Sequence, residues 1–258
     1  MRKGTPQIAV VRRSLALLDE VVADQRGLTE IARDLGIPLS TAYRQVATLV
    51  AEGYLVRSAN GQHTAGHRLL RLLGRVDEKQ MIANVAGPAL HRLAARVGAI
   101  VQLGTLDNEM VTYRIKTGQG AGRLFTKVGM QMEAYCTAIG KVLLAELSER
   151  ELDAYLSNGP FVPLTERTIV GPQHLREELA KVRGDGYAVD DGEAAERLFC
   201  LAVPVRSAVG QIQAAVSVSR SNRLTAKDRA DVLELLHEAA AEIEYTLAGM
   251  EFPARPIN

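Results

Sequence analysis

The stretch "LTEIARDLGIPLSTAYRQVATLVAEGYL", Leu28 to Leu55, reads as two short helices joined by a tight turn. Ile31, Ala32 and Leu35 make the apolar side of the first helix, with Thr29 placed as its N-cap before Glu30. Gly36 stops that helix and Ile37-Pro38 turns the chain. Ser40 is placed as the cap of the second helix, which runs to about Glu52 with Ala42, Val46, Leu49 and Val50 inward and Gly53 after its end. Ser40, Thr41, Tyr43, Arg44 and Gln45 are left facing outward near its start. A helix that only packs has no need of so many polar groups side by side. They suit phosphates and base edges, the targets of the second helix of a helix-turn-helix in the major groove. That motif needs a small residue where the helices cross (Ala32), a glycine in the turn (Gly36), an apolar residue after it (Ile37) and another inside the second helix (Val46). Arg44 can address guanine with both arms of its guanidinium or hold a phosphate, and the sequence does not choose between them. The competing reading is a solvated face on an ordinary helical hairpin.

Working outward, Ser14 to Asp24 carries Leu15, Leu17, Leu18, Val21 and Val22 at helical spacing. After the motif, "YLVRSANGQHTA" has strand-like flanks around Asn60-Gly61, a strong hairpin signal, and Arg57 on its first flank joins the DNA-facing set. Three helices and a hairpin are the layout of a winged helix-turn-helix. Charge agrees: residues 1–75 hold 11 Lys+Arg against 6 Asp+Glu, whereas the rest holds 20 against 24, so a net +1 hides a basic front and a mildly acidic back.

The remainder alternates differently. His67 to about Val97 is helical with an expected interruption at Gly87-Pro88, and links the two parts. "AIVQLGTL" and "EMVTYRIK" flank an Asp107-Asn108 turn, and "GQGAG" (118–122) is a loop. "TAIGKVLLAEL" is a helix, Ser148 to Glu151 fits a capping box, and "HLREELAKVRGDG" is a helix stopped by glycine. "YAVD", "LFCLAVPV" and "QIQAAVSVS" are strands, and Thr225 to Asp228 caps a long final helix. Hairpin-like strand pairs rather than strict β-α-β alternation predict an α+β fold whose sheet is largely antiparallel. The expected boundaries are 1–66 for the DNA-binding domain, 67–84 for a linker helix and 85–252 for the second domain.

The bulk composition excludes several classes. The 258 residues, 47% hydrophobic and 24% charged, are ordinary for a soluble protein, and no apolar run can span a bilayer. "MRKGTPQIAVVRR" contains no apolar core with a cleavage site, so the expected compartment is the cytoplasm. Cys136 and Cys200 make neither a disulfide framework nor a zinc site. No metal and no cofactor are expected.

Beyond the helix-turn-helix, "CTAIGKVLLA" (136–145), "GYAVDDGE" (186–193), "CLAVPV" (200–205) and "AAVSVS" (214–219) stand in order along the chain. With these motifs it resembles the IclR family of bacterial transcriptional regulators over nearly its whole length. The resemblance implies a winged helix domain, a linker helix and a GAF-like effector-binding domain. It implies homodimers or homotetramers on palindromic operator DNA, and small metabolites, often organic or aromatic acids, as effectors. Carried onto this sequence, the effector positions are Ala138, Ile139, Gly140, Asp190, Leu198, Cys200, Ser217 and Ser219. The chain departs from the family at His63-Thr64-Ala65-Gly66, where Tyr-x-Leu-Gly is frequent, and at Arg197, where glycine is common.

Part of the pocket follows from strand alternation, since Leu198, Cys200 and Ala202 share one face, and Ser217 and Ser219 share another with Ala215. The same serines also fit an exposed edge. Thr137 is placed as an N-cap, leaving the N–H groups of Ala138, Ile139 and Gly140 for an anionic head, with Gly140 allowing close approach and Leu124, Met130, Met132 and Tyr135 as an apolar wall. Asp190 would repel an anion unless protonated, turned away or bonded to a ligand donor, which keeps a neutral amide or hydrazide open. An enzyme using Asp190, Asp191 and Glu193 on a metal, or Cys200 with His174, is the rival class, but no supporting motif accompanies either set. A purely structural DNA-binding protein would have no use for so large a second domain.

Overall fold

The computed structural model describes residues 8–23, 26–74, 78–207 and 210–250. Asp24, the expected end of the first helix, and residues 251–252, at the expected end of the second domain, lie outside them. The chain divides into two compact units, the second beginning at Glu78.

In the first unit, α1 (Ala9–Ala23), α2 (Leu28–Asp34) and α3 (Leu39–Ala51) precede a hairpin of β1 (Leu55–Arg57) and β2 (His63–Ala65), followed by α4 (His67–Leu73). The hairpin pairs Leu55 with Ala65 and Arg57 with His63. The core gathers Leu17, Leu18 and Val21 of α1, Ile31 and Ala32 of α2, Ile37 of the turn, Ala42 and Val46 of α3, and Leu55 of the wing. Gly36 sits at φ +62°, the left-handed conformation the turn demands and glycine adopts without steric cost. Two expected caps are corrected. The N-cap of α2 is Gly27, not Thr29, and that of α3 is Pro38, not Ser40, and neither cap makes a side-chain hydrogen bond. Both helices start one residue before the hydroxyl that was expected to cap them.

The second unit is built on a six-stranded, wholly antiparallel sheet. Its strands are β3 (Ile100–Asp107), β4 (Met110–Thr117), β5 (Gln131–Glu133), β6 (Ala188–Asp191), β7 (Phe199–Arg206) and β8 (Ile212–Arg220), in the order β5-β4-β3-β8-β7-β6. One face carries Val101, Leu103, Val203, Val205, Val216 and Val218 and packs on α5 (Glu78–Val97) and α9 (Ala226–Met250). The other carries Ala188, Ala202 and Ala215 and packs on α6 (Ala138–Leu144), backed by α7 (Glu149–Leu156) and α8 (Pro172–Asp185). Alanines on that face let a helix lie close to the strands.

The Gly87-Pro88 break does not occur. Helix α5 runs through Pro88. Proline removes one helical hydrogen bond, yet Ala86, Ala89, Leu90, Leu93, Ala94 and Val97 are buried against the sheet, and this packing outweighs the local preference. Of the expected linker helix 67–84, the described residues form α4 and the first turns of α5, and residues 75–77 lie outside them. The Ser148–Glu151 capping box forms with both reciprocal bonds, and Thr225 caps α9 through the Asp228 N–H.

Candidate functional sites

The residues expected from sequence to face DNA sit on two helices and one wing strand of the first unit. Ser40, Tyr43 and Arg44 are exposed at the start of α3, Thr41 is half-buried beside them, and Arg57 is exposed on β1. The Arg44 side chain has no ion pair among the described residues, so its guanidinium is available to a polyanion. Thr29 is exposed in the first turn of α2. Gln45 is a correction: it is 91% buried, and neither its Oε1 nor its Nε2 has a hydrogen-bond partner among the described residues. The reason is helical geometry. Gln45 lies three residues after Ala42 and four before Leu49, on the inward stripe, so it cannot read a base edge from there.

The second site lies on the α6 face of the sheet. Strand register brings its parts together: Ser217 on β8 is opposite Gln102 on β3 and Ala202 on β7, while Ser219 is opposite Ile100 and Cys200, and Cys200 opposite Asp190 on β6. The Cys200 and serine positions, read from sequence as two faces, are thus one face, and β8 is a central strand rather than an exposed edge.

A small cavity of about 10 Å³ is lined by Gln102, Thr126, Thr137, Ala138, Ile139, Asp190, Leu198, Cys200 and Ser217, along with Tyr113, Phe125 and Ala194. That is room for about one water molecule. Ser217 is only 2% exposed, and its hydroxyl has no hydrogen-bond partner among the described residues. Gln102 is satisfied: its Nε2 donates to Thr126 Oγ1 at 2.9 Å, and its Oε1 accepts from Ser219 Oγ at 3.3 Å. Ser219 Oγ also lies 3.2 Å from Cys200 Sγ. Gln102, Thr126 and Tyr113 were not singled out from sequence; they sit on or beside other strands and only register gathers them.

Thr137 does cap α6, but its Oγ1 accepts the Gly140 N–H at 3.0 Å. That donor is therefore not free for a ligand, and Gly140 does not line the cavity. The close approach it permits is to the preceding turn, since a Cβ there would lie 2.1 Å from the Ala134 carbonyl oxygen. The expected apolar wall is also corrected. Leu124 lines an adjoining cavity, but Met130, Met132 and Tyr135 line neither. Tyr135 turns away, donating its hydroxyl to the Val162 carbonyl at 2.8 Å and stacking on Phe161, and Met132 packs against the hydrophobic cluster of the α6 face outside the cavity.

Asp190 is almost fully buried. Burial lifts its carboxyl to about 6, opposed by the N–H groups of Glu193 and Ala194, which donate to Oδ1 at 2.7 and 3.4 Å. It holds the turn that carries Glu193, whose Oε1 accepts from Lys141 Nζ at 2.6 Å. Lys141 has no exposed surface at all, an ion pair that the run "AIGKVLLA" did not disclose. The carboxylates of the enzyme reading are thus committed: Asp191 to Arg167 and Arg223, Glu193 to Lys141. Burial and the neighbouring Asp190 charge push the Cys200 thiol well above its ordinary range, the opposite of an activated nucleophile. Among the described residues there is no cluster of three or more metal-ligating side chains, and no helix is long and apolar enough to cross a membrane.

The larger adjoining cavity, of about 560 Å³, shares Phe125 and Leu198 with the small one and is lined by Arg123, Arg197, Ser219 and Arg220 among others. Arg197 stands there at φ +60°, where a non-glycine residue is strained by about 1–2 kcal/mol. This explains why glycine is common at that position.

A winged helix-turn-helix followed by a separate sheet domain with a small internal cavity is the arrangement of a DNA-binding transcriptional regulator. Residues 10–59 match the IclR helix-turn-helix domain, and residues 75–245 match the C-terminal domain of bacterial transcriptional regulator IclR. The chain belongs to the IclR family. It is 31% identical to the HTH-type transcriptional regulator XynR of Escherichia coli over 94% of this chain and 98% of that one. It is 29% identical to the transcriptional repressor IclR of the same organism, over 96% and 93%. An IclR homolog from Microbacterium hydrocarbonoxydans, solved with 4-hydroxybenzoate, superposes with a TM-score of 0.62 at 27% identity, covering 93% of this chain and 99% of that one. The family and these relatives are regulators of transcription, not enzymes.

Proposed function

We propose that this chain is a cytoplasmic regulator that binds a palindromic operator as a dimer or dimer of dimers, with operator affinity or promoter activity modulated by a small organic acid, aromatic or short aliphatic. The observation that carries the effector reading is Ser217, 2% exposed, whose hydroxyl lines a small cavity beside the start of α6 with no hydrogen-bond partner among the described residues. The 4-hydroxybenzoate complex of the Microbacterium homolog supports an aromatic acid. Asp190 favours a second reading, a neutral amide or hydrazide. With its carboxyl at about 6 it is mostly ionised at neutral pH, which repels a carboxylate and welcomes an N–H donor. A matched acid and amide, titrated into wild type and Ser217→Ala with and without operator DNA, separate the two. The acid should bind tighter, Ser217→Ala should weaken it about tenfold, and operator should change acid affinity by the factor by which acid changes operator affinity. An amide that binds at least as well as the acid moves the reading to the neutral class. Unchanged binding in Ser217→Ala removes the site, and no mutual effect leaves the second unit without an effector role.

Operator recognition is assigned to Ser40, Thr41, Tyr43 and Arg44 on α3, with Thr29 and Arg57 flanking. Arg44→Ala should leave the fold intact, because the side chain is exposed and unpaired. Losing a base contact should cost about 1–3 kcal/mol of discrimination. Losing a phosphate contact should weaken binding to all sequences and reduce the salt slope by about one. A gel-shift titration with unchanged affinity contradicts this placement.

A further inference from the structure

We infer that the effector carries a second anionic group, seated in the larger cavity on Arg123 and Arg197; this rests on the proposal that its head enters the small cavity beside Ser217. The small cavity admits about one water, so the body of any ligand reaching Ser217 must extend into its neighbour, with which it shares Phe125 and Leu198. Ser217 lines the inner cavity and Ser219 the outer one, two residues apart on one face of β8.

The outer cavity brings three guanidiniums, those of Arg123, Arg197 and Arg220, against a single carboxylate, Glu196. Arg220 donates to the Val97 carbonyl at 2.9 Å. Arg123 and Arg197 have no ion pair or side-chain hydrogen bond among the described residues, in a protein where most other arginines on the second unit are paired. Arg197 moreover occupies a left-handed backbone position that glycine would take without strain. Guanidinium presents a planar fork that matches carboxylate and phosphate oxygens, so two unpaired arginines at one cavity wall form a receptor for an anionic tail.

The test uses the full chain and three matched pairs of probes, each differing by one anionic group: benzoate and terephthalate, butyrate and glutarate, glycolate and phosphoglycolate. Calorimetric titration should show the dianion of at least one pair binding about tenfold tighter than its monoanion, with the advantage shrinking as salt rises. The pair that responds tells carboxylate from phosphate. In Arg123→Gln/Arg197→Gly the advantage should vanish while monoanion affinity stays unchanged. Both positions are exposed, and glycine relieves the strain at Arg197, so the variant should fold. Equal binding of both members of every pair, or an advantage that survives in the double variant, overturns the second anionic site and leaves the acid reading standing. Binding by none of the six acids overturns both.

Discussion

Replacing Lys141 with alanine should destabilise the second unit by about 3–5 kcal/mol, the usual cost of stripping one partner from a buried ion pair. Lys141 is fully buried, with Glu193 Oε1 at 2.6 Å and Glu178 Oε1 at 3.3 Å, and Glu193 Oε2 is buried with no hydrogen-bond partner among the described residues. Without the ammonium, Glu193 is a lone charge in a low dielectric. Its escape is to take up a proton. Burial already raises its carboxyl from an ordinary 4.5 to about 7 even with Lys141 opposing, and without Lys141 it rises further. A carboxyl whose folded value is raised stabilises the fold below its unfolded value and loses that contribution as pH rises toward the folded one. The deficit of Lys141→Ala relative to wild type should therefore be level up to a pH of about 7, where both folded proteins hold the Glu193 proton, and grow above it, where only the wild type releases that proton. Denaturant unfolding of both proteins from below that value to well above it measures the growth. Lys141→Met/Glu193→Leu should recover most of the loss, since apolar replacement of a whole buried pair is frequently neutral. A flat deficit, or one below about 1 kcal/mol, would show that the pair is not the anchor described. Because the turn carrying Glu193 is tied to Asp190 Oδ1, the single variant should also weaken effector binding.

The second large effect concerns the DNA-binding unit by itself. A fragment ending at residue 77 has its own core and should fold, but should bind operator about 10²–10⁴-fold more weakly than the full chain. One helix-turn-helix covers one half-site, and a dimer adds the second by effective concentration. Helix α1 does expose Val11, Leu15 and Val22 on one helical stripe, with Ile8 exposed just before it, yet four side chains fall well short of a stable interface. Sedimentation and operator titration of the fragment decide the matter. A monomeric fragment with full-length affinity would refute the view that the second unit supplies dimerisation.

What the sequence by itself determined is local. The helix-turn-helix was legible because its signals are contiguous: Ala32, Gly36, Ile37 and Val46 fall within one stretch, and each acts through near neighbours. Capping at Ser148 and Thr225, the period-two strands and the Asn60-Gly61 hairpin have the same character, and so does the antiparallel sheet, which follows from its hairpin pairs. Local reasoning failed where a residue or two changes the answer: the hydroxyls of Thr29 and Ser40 sit two positions past the true caps, and Gln45 lies on the inward stripe of its helix. Tertiary structure decided what depends on partners distant in sequence. Burial against the sheet carried α5 through Pro88. Strand register, set by long-range pairing, put Cys200, Ser217 and Ser219 on one face and added Gln102 to it. Gly140 serves a contact with Ala134 rather than a ligand, and Lys141, which looks like a solvated helical lysine in sequence, is buried because Glu193 arrives from a turn 52 residues away. A side chain's environment is set by what folds over it, and no periodicity within its own segment records that.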